Sequence, residues 1–289
     1  MVNRESRRRT AVRAVLVAAA AAGLLAGCSG SGSSGGSSAK ASGVSSDSLS
    51  ADPLTAVRSA ADDTGHSGYV QDATTLTTSS AAKQMTLHGT ASYDYSSGLG
   101  QMVVTIPPGD GSTGKLTEVV SPGVVYMQNT AAKVPAGKWV VVSVQQLADG
   151  NLVSSGATDP ATAADALRGA QTATPAGSST VDGVVLKQYT GTLELTPAAT
   201  ATGGGAAVGL AQAAKTFTVQ KIPYQVWLDP QGRIHKIVEI FTFSRVPGSS
   251  AAKDQVVVVS TGEFSDFGTP VKVSVPPKAD IYEAQPSGQ

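Results

Sequence analysis

Apolar and polar residues alternate with a period of two through much of this chain. Two sets of apolar residues show the alternation: Met85, Leu87, Ala91 and Tyr93 in the first, and Met102, Val104 and Ile106 in the second. A period of two is typical of a β-strand with one buried and one solvated face. The pattern therefore predicts a sheet with one apolar face.

Turn residues separate further strand-like runs along the chain. We predict strands over residues 116–121, 124–129, 138–143, 184–195, 223–228, 233–243, 255–263 and 271–275. The segment Asp229-Pro230-Gln231-Gly232 is typical of a hairpin turn, because proline and glycine suit turn backbone angles. Short connections favour antiparallel neighbours. The fold class expected is α+β, with a single curved antiparallel sheet wrapped over a few short helices.

Two short helices are indicated by their ends. Asp52 is a predicted N-cap with Pro53 in the first turn, and Gly65 follows the apolar residues of that helix. Asp159 and Pro160 have the same arrangement, and that helix ends near Gly169.

Residues 195–214 carry no charge but do not suit a membrane span, because glycine and threonine replace the large aliphatic residues. We predict a helix in the second half, with Val208, Ala211, Ala214 and Phe217 on one face. A mobile flap over residues 196–215, hinged at the glycines and carrying Val208, Ala211 and Phe217, is the alternative. The sequence leaves both open.

The N-terminus has the order of residues that marks a secreted lipoprotein. Five arginines precede an apolar segment over residues 14–25, and Leu25-Ala26-Gly27-Cys28 resembles the lipobox of bacterial lipoproteins. The resemblance implies that residues 1–27 are a signal peptide and that Cys28 is acylated. Export through either the general or the twin-arginine route fits the arginine run.

The single cysteine is thereby explained as an attachment point. Residues 28–51 are the lipidated cysteine and a Ser/Gly-rich stretch, which we predict to be a flexible tether. The mature chain would hold no thiol for disulfides, and its net charge would be about −4. We therefore expect a protein attached to the outer face of the cell membrane, with no nucleic-acid partner.

No motif carries recognisable chemistry. Gly109-x-Gly111-x-x-Gly114 matches a dinucleotide fingerprint in letters only, because a strand rather than a helix is predicted to follow. Asp62, Asp63 and His66 form a small cluster, and His88 and His235 stand apart. We interpret the cluster as a solvated turn rather than a metal site. The sequence predicts no enzyme, no cofactor and no metal.

One set of side chains is expected to line an apolar cavity on the concave face of the sheet. Its members are Met85, Leu87, Met102, Val104, Ile106, Val125, Met127, Trp139 and Val141. A sheet covered by only a few small helices leaves space, and methionines fit irregular apolar ligands.

Several segments resemble a known family. The strand VVYMQN, Trp139 and the hairpin WLDPQGR are similar to actinobacterial envelope lipoproteins of the LppX and LprG type, in the LolA-like superfamily. The resemblance covers most of residues 53–283. It implies a half-barrel of about eleven strands with an apolar cavity for acyl chains, formed by residues 52–283, and residues 284–289 are a C-terminal tail.

These observations favour a monomeric lipoprotein that binds or transfers acyl-chain lipids or lipidated molecules. The alternative is a non-catalytic envelope interaction or sensory module with a closed core. The sequence discriminates against an enzyme, because it offers no paired carboxylates and no nucleophile with a base.

Overall fold

The computed structural model describes residues 49–80, 83–108, 114–129, 134–153, 158–243 and 255–282. The signal peptide, Cys28, all but the last residues of the tether, the loop at Gly109 and Gly111, and the C-terminal tail lie outside these ranges. The predictions made for them remain predictions.

Eleven strands and four α-helices make up the described part of the chain. The strands are β1 Tyr69–Ser79, β2 Gln84–Asp94, β3 Leu99–Ile106, β4 Gly114–Ser121, β5 Val124–Asn129, β6 Val140–Ser143, β7 Ala170–Val181, β8 Val184–Leu193, β9 Ile222–Leu228, β10 Ile234–Phe243 and β11 Val256–Ser265. The helices are α1 Pro53–Gly65, α2 Pro160–Ala166, α3 Leu195–Ala201 and α4 Gly204–Thr216.

All eleven strands belong to one open antiparallel sheet. Their order is β6-β5-β4-β3-β2-β1-β11-β10-β9-β8-β7, so the first and last strands of the chain pair in the middle through β1 and β11. The predicted fold class is confirmed.

The predicted helix starts and the hairpin turn are also confirmed. Asp52 accepts hydrogen bonds from the backbone N–H and the hydroxyl of Thr55, and Asp159 accepts from the N–H groups of Ala161 and Thr162. These bonds satisfy N–H groups that have no partner within a helix. In the turn between β9 and β10, buried Asp229 accepts from the N–H of Arg233 at 2.9 Å.

The main core lies between the helices and the strands β1 and β8–β11. It includes Leu193, Val226, Ile237 and Phe241, all at most 1% exposed. Leu49, placed in the tether by the sequence, also packs into this core, and its N–H donates to the carbonyl of Pro230.

The sequence did not predict strands β1 and β7, and the strand that it predicted over residues 271–275 is wrong. The inner face of β1 carries Asp72 and Thr74, and β7 contains Pro175 and many small polar residues, so neither shows clean alternation. Residues 271–275 alternate but pair with no strand of the described sheet. Prolines on both sides of that segment remove backbone donors that a ladder would need.

The buried face of α4 differs from the prediction. The helix itself is confirmed, but Gly209, Leu210 and Ala213 are its buried residues, whereas Val208 and Ala211 are half-buried. Phe217 lies just after the helix and stacks on Phe241 at 5.2 Å between ring centroids. Phe217 is therefore a core residue, and whether α4 moves as a flap remains untested.

Candidate functional site

The inner face of strands β2–β5 carries a row of apolar side chains. The register places Ala91 opposite Met102 and Glu118 opposite both Met102 and Met127. Directly paired residues share one face of an antiparallel sheet. The side chains on this face form a small apolar cluster: Ala91, Met102, Val104 and Leu116, with Leu87, Ile106, Val120 and Met127 packed against them. Five of the nine predicted cavity residues therefore lie together.

The other four predicted residues lie in different surroundings. Val125 is on the same face and fully buried, and Met85 is on that face but 38% exposed near the start of β2. Val141 pairs with Tyr126, which places it on the opposite face, so the expectation that it shares a face with Val125 is wrong. Trp139 precedes β6 and forms a bridge with Ile281.

A cleft of about 240 Å³ opens beside this row. It lies between the β4–β5 turn, the start of α2 and the first turn of α4, and its walls are mainly apolar. We call it the apolar cleft. Val125 and Val144 line it, together with Gly205, Ala206 and Gly209 of α4. Of the nine predicted residues, Val125 lines this cleft.

Glycine contacts hold α4 against the other walls of the apolar cleft. A Cβ atom at Gly205 would overlap the backbone nitrogen of Gly123, and one at Gly150 would overlap the backbone of Gly209. Gly150 also has a φ of +61°, which favours glycine. The glycine-rich sequence of α4 therefore serves close backbone contact with the turn at Gly123.

A second cleft, of about 370 Å³, adjoins the first. The two share Tyr93, Ala161, Asp165 and Gly203. The second is lined mainly by polar groups, and we call it the polar cleft. Its walls include the end of α1 with Asp62 and His66, Tyr95 at the end of β2, Arg168 after α2, and Thr202 before α4.

Arg168 is held by two carboxylates in the polar cleft. Its Nη1 and Nη2 donate to Asp62 at 3.0 and 2.8 Å, and its Nε donates to Asp165 at 2.8 Å. The hydrogen bond from Arg168 lowers the pKa of Asp62, whereas burial raises the pKa of Asp165, and also that of Asp159 in the apolar cleft. The guanidinium is thus already neutralised.

Two hydroxyl groups in the polar cleft have no hydrogen-bond partner among the described residues. They are Oη of Tyr95 and Oγ1 of Thr202, and both atoms are buried. The ring of Tyr95 packs edge-on against Tyr93 at 4.9 Å between centroids. Buried polar groups are normally paired, so unpaired ones mark a place where a partner is missing.

Other buried acids lie on the inner face. Glu118, 1% exposed, accepts a hydrogen bond from Asn151 at 3.4 Å. The carboxylate of Glu239 has no hydrogen-bond partner within the described part of the chain, and that of Asp72 lies near the backbone of Glu263. Burial raises the pKa of Glu239 to about 8 and that of Asp72 well above its usual range. Glu239 is therefore largely protonated near neutral pH.

The outer face carries a wider groove of about 690 Å³. Trp227 lies there with the ammonium of Lys236 at 5.6 Å from the ring centroid, and Lys236 also pairs with Glu263 at 2.7 Å. Lys236 and Glu263 therefore pair with each other in this groove.

The histidines are held in separate local contacts. His88 lies 3.2 Å from the hydroxyl of Thr75, His235 lies 3.1 Å from Asp229, and His66 caps α1. Asp62 binds Arg168, and Asp63 accepts from Ser59. Within the described ranges, no group of three or more His, Cys, Asp or Glu side chains is arranged to hold a metal ion.

Sequence reasoning missed Tyr95, Arg168 and Thr202. Arg168 had a local signal, because it follows Asp165 by three residues at the end of a helix. Tyr95 and Thr202 had none, since only the fold brings these distant residues into one cleft.

Comparisons with known proteins found distant likenesses. No protein-family model matches the chain, and no curated protein matches it. No helix in the described ranges has the length and apolarity needed to cross a membrane.

Three solved structures illustrate the likeness. LprF from Mycobacterium bovis is 14% identical with a TM-score of 0.40, over 79% of this chain and 98% of that one. The lipoprotein LppX from Mycobacterium tuberculosis is 14% identical with a TM-score of 0.43, over 76% and 97%. A LolA superfamily protein from Nitrosomonas europaea is 10% identical with a TM-score of 0.31, over 81% and 99%.

Proposed function

We propose that this protein binds an acyl-chain lipid or a lipidated molecule in the apolar cleft and carries it at the outer face of the cell membrane. The observation that carries the proposal is the apolar row on the inner face of β2–β5, with an open cleft beside it that α4 lines with glycine and alanine. Met102 and Met127 belong to this row, and methionine adapts to apolar ligands of irregular shape.

The size of the site sets a condition on binding. Ligand pockets typically measure about 300–1,000 Å³. The apolar cleft alone, at about 240 Å³, is smaller than this, but the two adjoining clefts together fall within the range. Because the apolar cleft alone is below the range, a long acyl chain fits into it only if α4 moves away from the turn at Gly123. The glycine contacts permit such movement, because they bury little side-chain surface.

The energetics suit a carrier. Burying about ten methylene groups contributes about 8 kcal/mol, at roughly 0.8 kcal/mol each, which corresponds to near-micromolar affinity before ordering costs. Such binding needs no charged group in contact with the chain, and it is weak enough to be reversible.

Attachment to the membrane completes the proposal. Acylation of Cys28 would anchor the mature chain, and a tether over residues 28–51 would let the folded domain leave the bilayer surface and return to it. No catalytic step is proposed.

Native mass spectrometry of the purified full chain, with organic extraction of what co-purifies, tests the proposal. We expect a bound mass in the range of a phospholipid or acylglycerol, or saturable uptake of a fluorescent fatty acid by the extracted protein. Met102→Glu should abolish uptake by placing a second buried carboxylate directly opposite Glu118 in the row beside the cleft. Val141→Glu, on the opposite face, is its control.

A second pair of variants covers the case in which Met102→Glu fails to fold. Ala206 lines the apolar cleft and is half-buried on α4, so Ala206→Trp should fill the cleft and block uptake. Ala207→Trp, one residue along the same helix and outside the cleft lining, should leave uptake intact. Equal uptake by wild type and Ala206→Trp would contradict the proposed location.

The second candidate is a non-catalytic interaction or sensory module of the cell envelope. It is favoured by the burial of Met102 and Val104, both 1% exposed, which shows that part of the row is already covered. This candidate expects a chain that stays free of lipid after incubation with membrane lipids.

A further inference from the structure

We infer that the polar cleft is a head-group site that selects uncharged, hydroxyl- or ester-bearing head groups over anionic ones. The inference rests on the proposed function, because it assumes an acyl chain in the apolar cleft. It adds the chemical class of the head group and names Tyr95 and Thr202 as the side chains that recognise it.

The two clefts are placed to hold the two ends of one amphiphile. They share Tyr93, Ala161, Asp165 and Gly203, so a ligand can extend from one into the other without crossing the protein. The apolar end would lie against Val125 and Val144, and the polar end would face the end of α1.

The hydrogen-bonding groups that lack partners lie near this junction. Oη of Tyr95 and Oγ1 of Thr202 are buried and unpaired among the described residues. In addition, α4 begins at Gly204 after Gly203, which has no side chain to cap the helix, so the first N–H groups of α4 have no side-chain partner there. Hydroxyls can donate or accept, and helix N–H groups donate. A head group with hydroxyl and ester oxygens satisfies all of them.

The charges at the junction disfavour an anionic head group. Three carboxylates, Asp62, Asp159 and Asp165, line the two clefts, whereas Arg168 is the one arginine or lysine in the lining that the described residues provide. Arg168 already donates three hydrogen bonds to Asp62 and Asp165. A phosphate would therefore be placed beside carboxylates without a free cation to pair with it.

The linker between α3 and α4 gives the ligand access to the unpaired hydroxyls. Thr202 and Gly203 form this linker, and Gly204 has a φ of +61°. Gly203 and Gly204 have open space around them, so the linker can shift without steric conflict. Such a shift would turn Oγ1 of Thr202 toward the polar cleft, which Tyr95 also lines.

Two lipids with identical chains test the inference. The probes are dioleoylglycerol, which ends in a hydroxyl, and dioleoylphosphatidic acid, which ends in a phosphate. We expect the extracted full chain to bind dioleoylglycerol at least about tenfold more tightly by displacement of a fluorescent fatty acid. In the Tyr95→Phe/Thr202→Val double variant, affinity for dioleoylglycerol should fall about five- to tenfold, with little change for phosphatidic acid.

Tyr126→Phe is the matched control, because Tyr126 lies on the outer face of β5. It should leave both affinities unchanged. Equal binding of the two lipids by wild type, or a preference for phosphatidic acid, would overturn the head-group inference while leaving lipid binding intact. A double variant that binds dioleoylglycerol as wild type does would overturn the role of Tyr95 and Thr202. Binding of neither lipid nor of the fatty acid would remove the proposed function itself.

Discussion

The two halves of the sheet are covered in different ways. Strands β1 and β8–β11 pack against helices through large side chains. In that core, Phe217 stacks on Phe241 and packs edge-on against Phe243. Strands β2–β5 have a small apolar cluster, and the start of α4 contacts the turn between β4 and β5 through Gly205 and Gly123. This difference indicates where a ligand can enter. Large side chains fill the space beside β1 and β8–β11, which we call the dense half, whereas the backbone contacts beside β2–β5 leave clefts.

The largest effect that we expect is on the free energy of unfolding, and it comes from Glu239, a buried acid of the dense half. Glu239 is 1% exposed and has no hydrogen-bond partner among the described residues, and burial raises its pKa to about 8. The unfolded chain ionises this group near pH 4.5, so the free energy of unfolding falls as pH rises from there through about 8. The full loss from this group is on the order of 5 kcal/mol.

Glu239→Gln should remove this loss, and urea unfolding at several pH values measures it. The free energy of unfolding of the variant, relative to wild type, should increase between pH 5 and pH 9. Glu263→Gln, an exposed acid on the neighbouring strand, should show no such trend. If the free energies of unfolding of wild type and Glu239→Gln changed in parallel with pH, this acid would have a hydrogen-bond partner in solution. The dense half would then differ less from the region around β2–β5.

A smaller effect on stability is expected at Gly205, where α4 contacts the turn between β4 and β5. Gly205→Ala places a Cβ against the backbone of Gly123, so the start of α4 must move outward. Overpacking costs about 1–3 kcal/mol, and the better helix propensity of alanine offsets about 1 kcal/mol of it. We expect faster hydrogen exchange in the first turns of α4 and a net destabilisation of about 1 kcal/mol.

Gly203→Ala is the control for this change. Gly203 has open space around its Cα and a φ of −106°, which alanine adopts readily. Its exchange rates should match those of wild type. If Gly205→Ala also left exchange in α4 unchanged, the close contact would not be what holds the helix.

The smallest effect is expected at the ion pair of the polar cleft. The side chain of Asp62 is 58% exposed and that of Arg168 is 19% exposed. Asp62→Asn should lower the free energy of unfolding by about 0.5 kcal/mol at neutral pH, and less at 1 M salt. Because Arg168 lowers the pKa of Asp62, this stabilisation is present above the ordinary pKa of an aspartate and should be lost as the pH falls through the lowered pKa.

Urea unfolding of both chains at low and high salt measures this effect. A loss above about 2 kcal/mol would mean that the pair holds α1 to α2 as firmly as core packing does. The polar cleft would then be held as firmly as the dense half, and the two regions would not differ in this respect.

The sequence by itself determined the local features of this protein. Alternation predicted β2, β3 and most later strands, and the caps at Asp52 and Asp159 predicted two helix starts. These signals lie within a few residues of one another, because strand alternation and helix capping are properties of local backbone geometry.

Only the tertiary structure decided which faces and residues meet. Strand pairing placed Val141 on the outer face, and the burial of Leu210 set the inner side of α4. The polar cleft joins Tyr95, Arg168 and Thr202, which are far apart in the chain. Such contacts depend on the register of paired strands and on how closely two backbones approach, and neither quantity is encoded by the spacing of residues along one segment.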